Sequence, residues 1–319
     1  MKLAMLRRPE GEVLAIAFGP MAIAPLDLLP PQSPQTRLFA DAAAFIAGGQ
    51  EAMELATRLF ASAPVAKTFQ LAGADLAAPI RPSTILLSGS NYTEHNREKA
   101  NTPISGKEPE FFVKTADCVI GPGENIVHDP KFTKKLDAET ELAIVIGKPG
   151  RHIPVETALD HVFGYTIIND LTARERQVRR NEQGFVWYEL GRAKAFETSA
   201  PIGPVIVTAD EIADPQNLRL RTRINGELRQ SSMTSNMIFD CARLIHFFSA
   251  NFTLKPGMMI ATGTPGGTAW STDAELGGKC IGGSGDEELV PARGYLQPGD
   301  VIESEIEKIG VLRNPVAAA

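Results

Sequence analysis

Two glutamates, Glu139 and Glu141, stand one residue apart, and Asp170 closes a later apolar stretch. On a strand, side chains two residues apart share a face. Adjacent carboxylates repel, so they need a cation, a proton or solvent between them. Three carboxylates with no histidine among them point to a hard cation, Mg2+ ahead of Mn2+ or Ca2+. The same spacing also fits three acids facing solvent at strand ends, and these residues alone leave that alternative open. A second constellation is His95 and Glu98, in the stretch Asn91-Tyr92-Thr93-Glu94-His95-Asn96-Arg97-Glu98. On a helix the two share a face. A carboxylate beside an imidazole orients it and raises its basicity, as a base that activates water requires. An incidental pair on a surface helix has the same pattern. The third is Thr262-Gly263-Thr264-Pro265-Gly266-Gly267. It lacks the lysine of a phosphate-cradling loop. A glycine turn at a strand end can bring backbone N–H groups and threonine hydroxyls close to a ligand, though a plain loop reads alike. His128, His152, His161 and His246 have no metal-ligand spacing and take no role.

The elements that must position these residues are mostly strands. Residues 2–6, 13–18 and 21–24 read as strands punctuated by Pro9-Glu10-Gly11 and Gly19-Pro20. Two alanine-rich helical segments follow near 36–47 and 50–61, then a proline-marked stretch that places a domain boundary near residue 78. The expected organisation is a small N-terminal domain, residues 1–78, and a larger one, residues 79–319. Within the larger part, 85–87, 111–113, 141–146, 165–168, 205–207, 258–261 and 301–306 read as strands. Asn225-Gly226 is the preferred pair for a tight hairpin between 219–224 and 227–230. Met237, Ile238, Cys241, Leu244, Ile245 and Phe248 recur at helical spacing.

Composition narrows the class. The chain has 319 residues, 43% hydrophobic and 22% charged, which suits a globular protein with a sizeable core. A net charge of -6 argues against a nucleic-acid partner. An acidic protein that takes an anionic substrate must concentrate positive charge locally. Cys118, Cys241 and Cys280 form no C-x-x-C pair, which speaks against a thiolate zinc site and suits a reducing cytoplasm. The apolar stretch 13–29 is interrupted by Glu12, Gly19, Pro20, Pro25 and Asp27, so it reads as strands and turns rather than a signal peptide, and no run is long enough to span a bilayer.

Taken in order, the blocks NYTEHNRE (91–98), PEFFVK (109–114), DAETELAIVIGK (137–148), GYTIINDLTARERQ (164–177), AKAFETSAPIGP (193–204), INGELRQ (224–230), TLKPGMMIATGTPGG (253–267) and LQPGD (296–300) resemble the fumarylacetoacetate hydrolase family. The resemblance spans nearly all of 79–319, whereas 1–78 matches only loosely. It implies an α+β, β-dominated fold, a mixed β-roll with short helices around it, and a homodimer. By position, Glu139, Glu141 and Asp170 match the family's metal ligands and Lys194 its lysine beside the metal. Arg174, Gln177 and Thr264 match substrate-facing positions, and His95 and Glu98 match a pair on a lid, here flanked by candidate hinges at Gly89-Ser90 and 103–106. The implied activity is Mg2+-dependent hydrolysis of a C–C bond in a small anionic 2-oxo or 1,3-dicarbonyl acid. The alternative on the same site is a decarboxylase, tautomerase or lyase of an oxaloacetate-like acid. This chain departs from the pattern at Ala138, where the family has Tyr, and at Glu197, where it often has Asp. Residues 268–292 look like a long insertion, expected to be mobile or to pack at the pocket mouth or a dimer contact and to affect selectivity more than chemistry. A tolerated surface insertion is the competing reading.

Overall fold

Strand Thr140–Ile146 has every residue buried, and its side chains alternate between two apolar layers. Leu142, Ile144 and Ile146 point into one core, while Ala143 and Val145 point into the other. A strand buried on both faces must lie inside a sheet that is covered on both sides. A computed structural model, which describes residues 1–98, 107–279 and 287–319, shows how this is done.

The strand is the middle of a twelve-stranded mixed sheet. The main path runs Thr68–Gln70, Met21–Ile23, Gly11–Phe18, Lys2–Arg8, Ala200–Thr208, Val162–Asn169, Thr140–Ile146, Met259–Ala261, Ile85–Gly89, Glu110–Lys114. Helix Ala42–Ser62 covers one face with Phe45, Ile46 and Leu55. Helix Cys241–Asn251, capped by Asp240 accepting the Arg243 N–H, covers the other with Leu244, Ile245 and Phe248. A second sheet runs Glu227–Met233, Arg219–Ile224, Val301–Ile306, Gly310–Ala318, Ile126–His128. The fold is α+β and dominated by mixed sheets. Among the described residues no helix is long and apolar enough to cross a membrane.

Local sequence accounts for most of these elements. Asn225 and Gly226 both have positive φ, 54° and 81°, as the hairpin turn between Arg219–Ile224 and Glu227–Met233 requires. The two helical segments expected near 36–47 and 50–61 appear as a 3-10 turn, Pro34–Phe39, followed by one helical run that breaks at Gly49, φ 53° and ψ -133°. The last strand, Gly310–Ala318, is not signalled by its sequence, because Pro315 argues against a paired strand. The strand forms because Pro315 sits at the junction of two ladders: it closes the pairing with Val301–Ile306, and the pairing with Ile126–His128 begins at Val316. Strand Lys2–Arg8 pairs with Ala200–Thr208, so the N-terminal segment and the later strands share one sheet.

Gly164 lies in strand Val162–Asn169, where a Cβ would stand 2.3 Å from the Val207 carbonyl oxygen. Gly164→Ala is expected to force the two strands apart and to cost at least about 1–3 kcal/mol, the usual penalty of overpacking. A urea midpoint equal to that of the native protein would contradict this.

Candidate active site

The antiparallel pairing of Thr140–Ile146 with Val162–Asn169 sets Thr140 opposite Asn169. Glu139 and Asp170 therefore flank the same sheet edge, joined by the Asp170 N–H donating to the Glu139 carbonyl at 2.8 Å. The Asn169 side chain fixes the same corner by accepting the Glu139 N–H at 2.9 Å. Ligand oxygens of Glu139, Glu141 and Asp170 lie within 4.8 Å of one another, and all three residues are at most 3% exposed. The alternative of three acids facing solvent is thereby excluded. Burial, then the neighbouring Asp170 and Glu139, push the Glu141 carboxyl well above the usual carboxylate range. Its Oε2 accepts the N–H of Gly263 at 2.7 Å.

That glycine belongs to the turn after strand Met259–Ala261. Thr262 continues the edge through its N–H to the Leu142 carbonyl, and the Thr264 hydroxyl donates to the Thr140 carbonyl at 3.0 Å. Gln230, from the second sheet, donates to the Thr264 hydroxyl at 2.9 Å. Strand Ile85–Gly89 runs parallel to Met259–Ala261 and ends at the same edge. There Asn91, two residues before the short helix Thr93–Glu98, donates to the Thr262 carbonyl at 2.7 Å. The helix carries His95 and Glu98 inward, 2% and 0% exposed, with Nδ1 of His95 3.0 Å from Glu98 Oε2 and Nε2 3.8 Å from Glu139 Oε1. Glu98 in turn accepts the Gly267 N–H and the Thr268 hydroxyl, which docks the helix on the glycine turn. The candidate hinge at Gly89-Ser90 precedes this helix, and Ser90 has positive φ, 51°; the other, 103–106, lies outside the described residues.

Three cations meet the acids. The Lys194 ammonium lies 2.5 Å from Glu139 and 2.6 Å from Asp170. Burial works against its charge, but Asp170 and Glu139 outweigh burial and raise it. Arg174 is fully buried behind Glu139: Nε donates to Asp137 at 2.7 Å, one terminal nitrogen donates to Gln177 at 3.0 Å, and the other lies 2.6 Å from Glu139 Oε1. Of the positions matched to the substrate, Gln177 and Thr264 line the cavity, which has a volume of about 30 Å3, together with His95, Lys194 and the three acids; Arg174 does not.

Sequence reasoning passed over Lys114 and Asp137. Lys114 ends an apolar strand and is completely buried, 2.9 Å from Asp170 Oδ1 and donating to the Leu171 and Ser199 carbonyls. Burial draws its ammonium down against the pull of Asp170. A lone lysine closing an apolar stretch, Phe111-Phe112-Val113, was the available signal. Asp137 stands two residues before Glu139, the same alternation that singled out Glu141. Lys114→Met is expected to take the ammonium from Asp170 Oδ1 and the Leu171 carbonyl, while Asp170 Oδ2 keeps Lys194 and the Ser199 carbonyl keeps the Leu171 N–H, and to cost about 3–5 kcal/mol. Denaturant unfolding checks this, and an unchanged midpoint would deny Lys114 that role.

The site's elements match a known domain. Residues 84–317 match the family model described as fumarylacetoacetate (FAA) hydrolase, C-terminal. The chain belongs to the fumarylacetoacetate hydrolase family. It is 40% identical over 241 residues to a mitochondrial oxaloacetate tautomerase of Bos taurus, covering 76% of this chain and 68% of that protein. It is also 40% identical over 250 residues to the oxaloacetate tautomerase YisK of Bacillus subtilis (strain 168), covering 78% of this chain and 75% of that one. Among solved structures, a fumarylacetoacetate hydrolase from Exiguobacterium antarcticum superposes with a TM-score of 0.76 at 31% identity, covering 100% of both chains. A maleylpyruvate hydrolase from Sphingobium sp. SYK-6, solved with manganese(II) and pyruvate, superposes with a TM-score of 0.72 at 26% identity, again over 100% of both.

The donor chemistry of this family member fits a divalent cation. Five buried acids, Glu98, Asp137, Glu139, Glu141 and Asp170, stand with three buried bases, Lys114, Arg174 and Lys194. Counted as ionised, five against three leaves two negative charges, which one divalent ion would cancel. All-oxygen ligands suit a hard ion. In its absence the Glu141 carboxyl is pushed toward holding a proton.

Proposed function

We propose that this enzyme interconverts the keto and enol forms of a small 2-oxo diacid of the oxaloacetate type, with a divalent cation, Mg2+ ahead of Mn2+ or Ca2+, held by Glu139, Glu141 and Asp170. The observation that carries the reading is the buried His95–Glu98 pair aimed across the acid cluster, with Nε2 of His95 on the side of the three carboxylates. The 40% identity to oxaloacetate tautomerases supports a compact four-carbon acid as the substrate.

A bound cation would act as a Lewis acid toward the oxygens of the oxo acid and lower the cost of enolisation. The protein's own groups move the proton. Glu98 takes the Nδ1 side of His95, so Nε2 is the basic nitrogen on the cavity side. His95 removes the proton from the carbon next to the ketone, the C–H electrons become the new C=C bond, the C=O π electrons move onto the oxygen, and that oxygen takes a proton back from the protonated His95. Lys194, kept charged by Asp170 and Glu139, faces the oxygen where negative charge develops. Gln177 and Thr264 orient the anion from the cavity wall. Docking of Thr93–Glu98 onto the glycine turn keeps bulk water out.

The same pair could instead activate water for C–C cleavage of an acylpyruvate, a second reading favoured by the likeness to the maleylpyruvate hydrolase. The deciding experiment follows the ultraviolet band of enol-oxaloacetate with and without Mg2+, beside a panel of acylpyruvates. Fast Mg2+-dependent ketonisation with slow cleavage is expected. Acylpyruvate cleavage outrunning ketonisation would put the hydrolase reading first.

A further inference from the structure

The segment that follows the glycine turn touches both halves of the site. On one side Gly267 and Thr268 donate to the Glu98 carboxylate, and the Lys279 N–H donates to the Glu98 carbonyl at 2.9 Å. On the other, the N–H groups of Ala269 and Trp270 donate to Asp137 at 3.0 and 3.2 Å. This is the carboxylate that takes the Nε–H of Arg174. The Trp270 ring, 1% exposed, lies over the Arg174 guanidinium with Cζ 5.2 Å from its centroid. The segment is pinned further along at Asp273, by the Lys135 ammonium at 2.7 Å and the Tyr295 hydroxyl at 2.6 Å.

These contacts leave Arg174 one orientation. Asp137 holds its Nε edge, Gln177 holds one end, Trp270 covers its face, and the remaining terminal nitrogen abuts Glu139 Oε1. A buried guanidinium is held by its planar set of donors and by stacking. Loss of the aromatic face would open space beside it and release its grip on Glu139. We propose that Trp270 is a positioning residue: through Arg174 it sets where the Glu139 carboxylate stands in the acid cluster. The segment that carries Trp270 thereby acts on cation affinity and substrate affinity rather than on proton transfer by His95. The proposal rests on the cation-dependent reading above.

The test is Mn2+ binding to metal-stripped protein, measured by calorimetry beside thermal unfolding, for the native protein, Trp270→Phe, Trp270→Leu and Asp137→Asn. Both Trp270 variants lose the indole volume and its hydrogen bond to the Leu276 carbonyl, but only Phe keeps an aromatic face. Trp270→Leu and Asp137→Asn are expected to weaken Mn2+ binding about ten- to a hundredfold, as loss of a partner to a metal ligand does, whereas Trp270→Phe stays close to native. On oxaloacetate, the Leu variant should raise KM more than it lowers kcat. Equal weakening in the Phe and Leu variants in step with their unfolding temperatures would overturn the proposal, as would native Mn2+ affinity in the Leu variant. If Trp270→Leu does not fold, native affinity in Asp137→Asn overturns it alone. A native protein that binds no Mn2+ overturns the cation reading as well, which separates the two failures.

Discussion

Glu141→Gln is expected to abolish divalent-cation binding and turnover while the protein stays folded. Glu141 is 2% exposed, and its Oε2 accepts the Gly263 N–H at 2.7 Å. The amide oxygen of glutamine can accept the same hydrogen bond. The substitution therefore removes one charged ligand and little else. Because disturbing only a partner of a ligand costs about 10–100-fold in metal affinity, losing the ligand itself should cost more. Burial and the neighbouring Asp170 and Glu139 already disfavour the ionised form of Glu141 when no cation is bound. A neutral amide needs no counter-charge, so the variant's unfolding temperature in chelator should equal or exceed that of the native protein. Added Mg2+ should then raise the native temperature and leave the variant's unmoved. At one hundred times the dissociation constant the native gain is worth about 2.7 kcal/mol. Unchanged Mg2+ affinity in the variant would remove Glu141 from the site.

His95→Ala should lower turnover by about 10²–10⁴, the usual contribution of a positioned base. Glu98→Ala should fall in the same range, and the double variant should lose little more than His95→Ala alone, because Glu98 acts through His95. The geometry supports such a unit: the two side chains are 3.0 Å apart, both are buried, and Glu98 is itself held by Gly267 and Thr268. Mg2+ affinity should survive in His95→Ala, since His95 is no part of the three-carboxylate group. Full activity in His95→Ala would eliminate the proposed base. Additive losses in the double variant would instead show that the bonds of Glu98 to Gly267 and Thr268 serve turnover independently of His95.

Much of the site was legible in residue types and short spacings. Glu139, one residue before strand Thr140–Ile146, and Glu141, its second residue, reach one cluster at the expected two-residue spacing, and His95 and Glu98 meet because a helix brings i and i+3 together. The hairpin at Asn225-Gly226 follows from two residues that tolerate positive φ. Each of these relations is contained within a few consecutive residues, where local backbone geometry suffices. Residues 268–279 pack against the site, while the rest of the glycine-rich stretch, 280–286 with Cys280, lies outside the described residues.

What joins elements was decided only by the tertiary structure. The register that sets Thr140 opposite Asn169 brings Asp170 to Glu139, and the parallel pairing of Ile85–Gly89 with Met259–Ala261 delivers His95 and the glycine turn to that same edge. Burial then separates a metal-type cluster from three solvated acids, a choice that spacing alone cannot make. It also gives tasks to residues that looked ordinary in the chain: Lys114 against Asp170, Asp137 against Arg174, and Trp270 over the guanidinium. Arg174, matched by position to a substrate contact, is turned instead toward Asp137, Gln177 and Glu139. A buried charge cannot be left unpaired, and which partner satisfies it depends on distances between segments far apart in the chain, a quantity that the packed structure creates and local sequence does not carry.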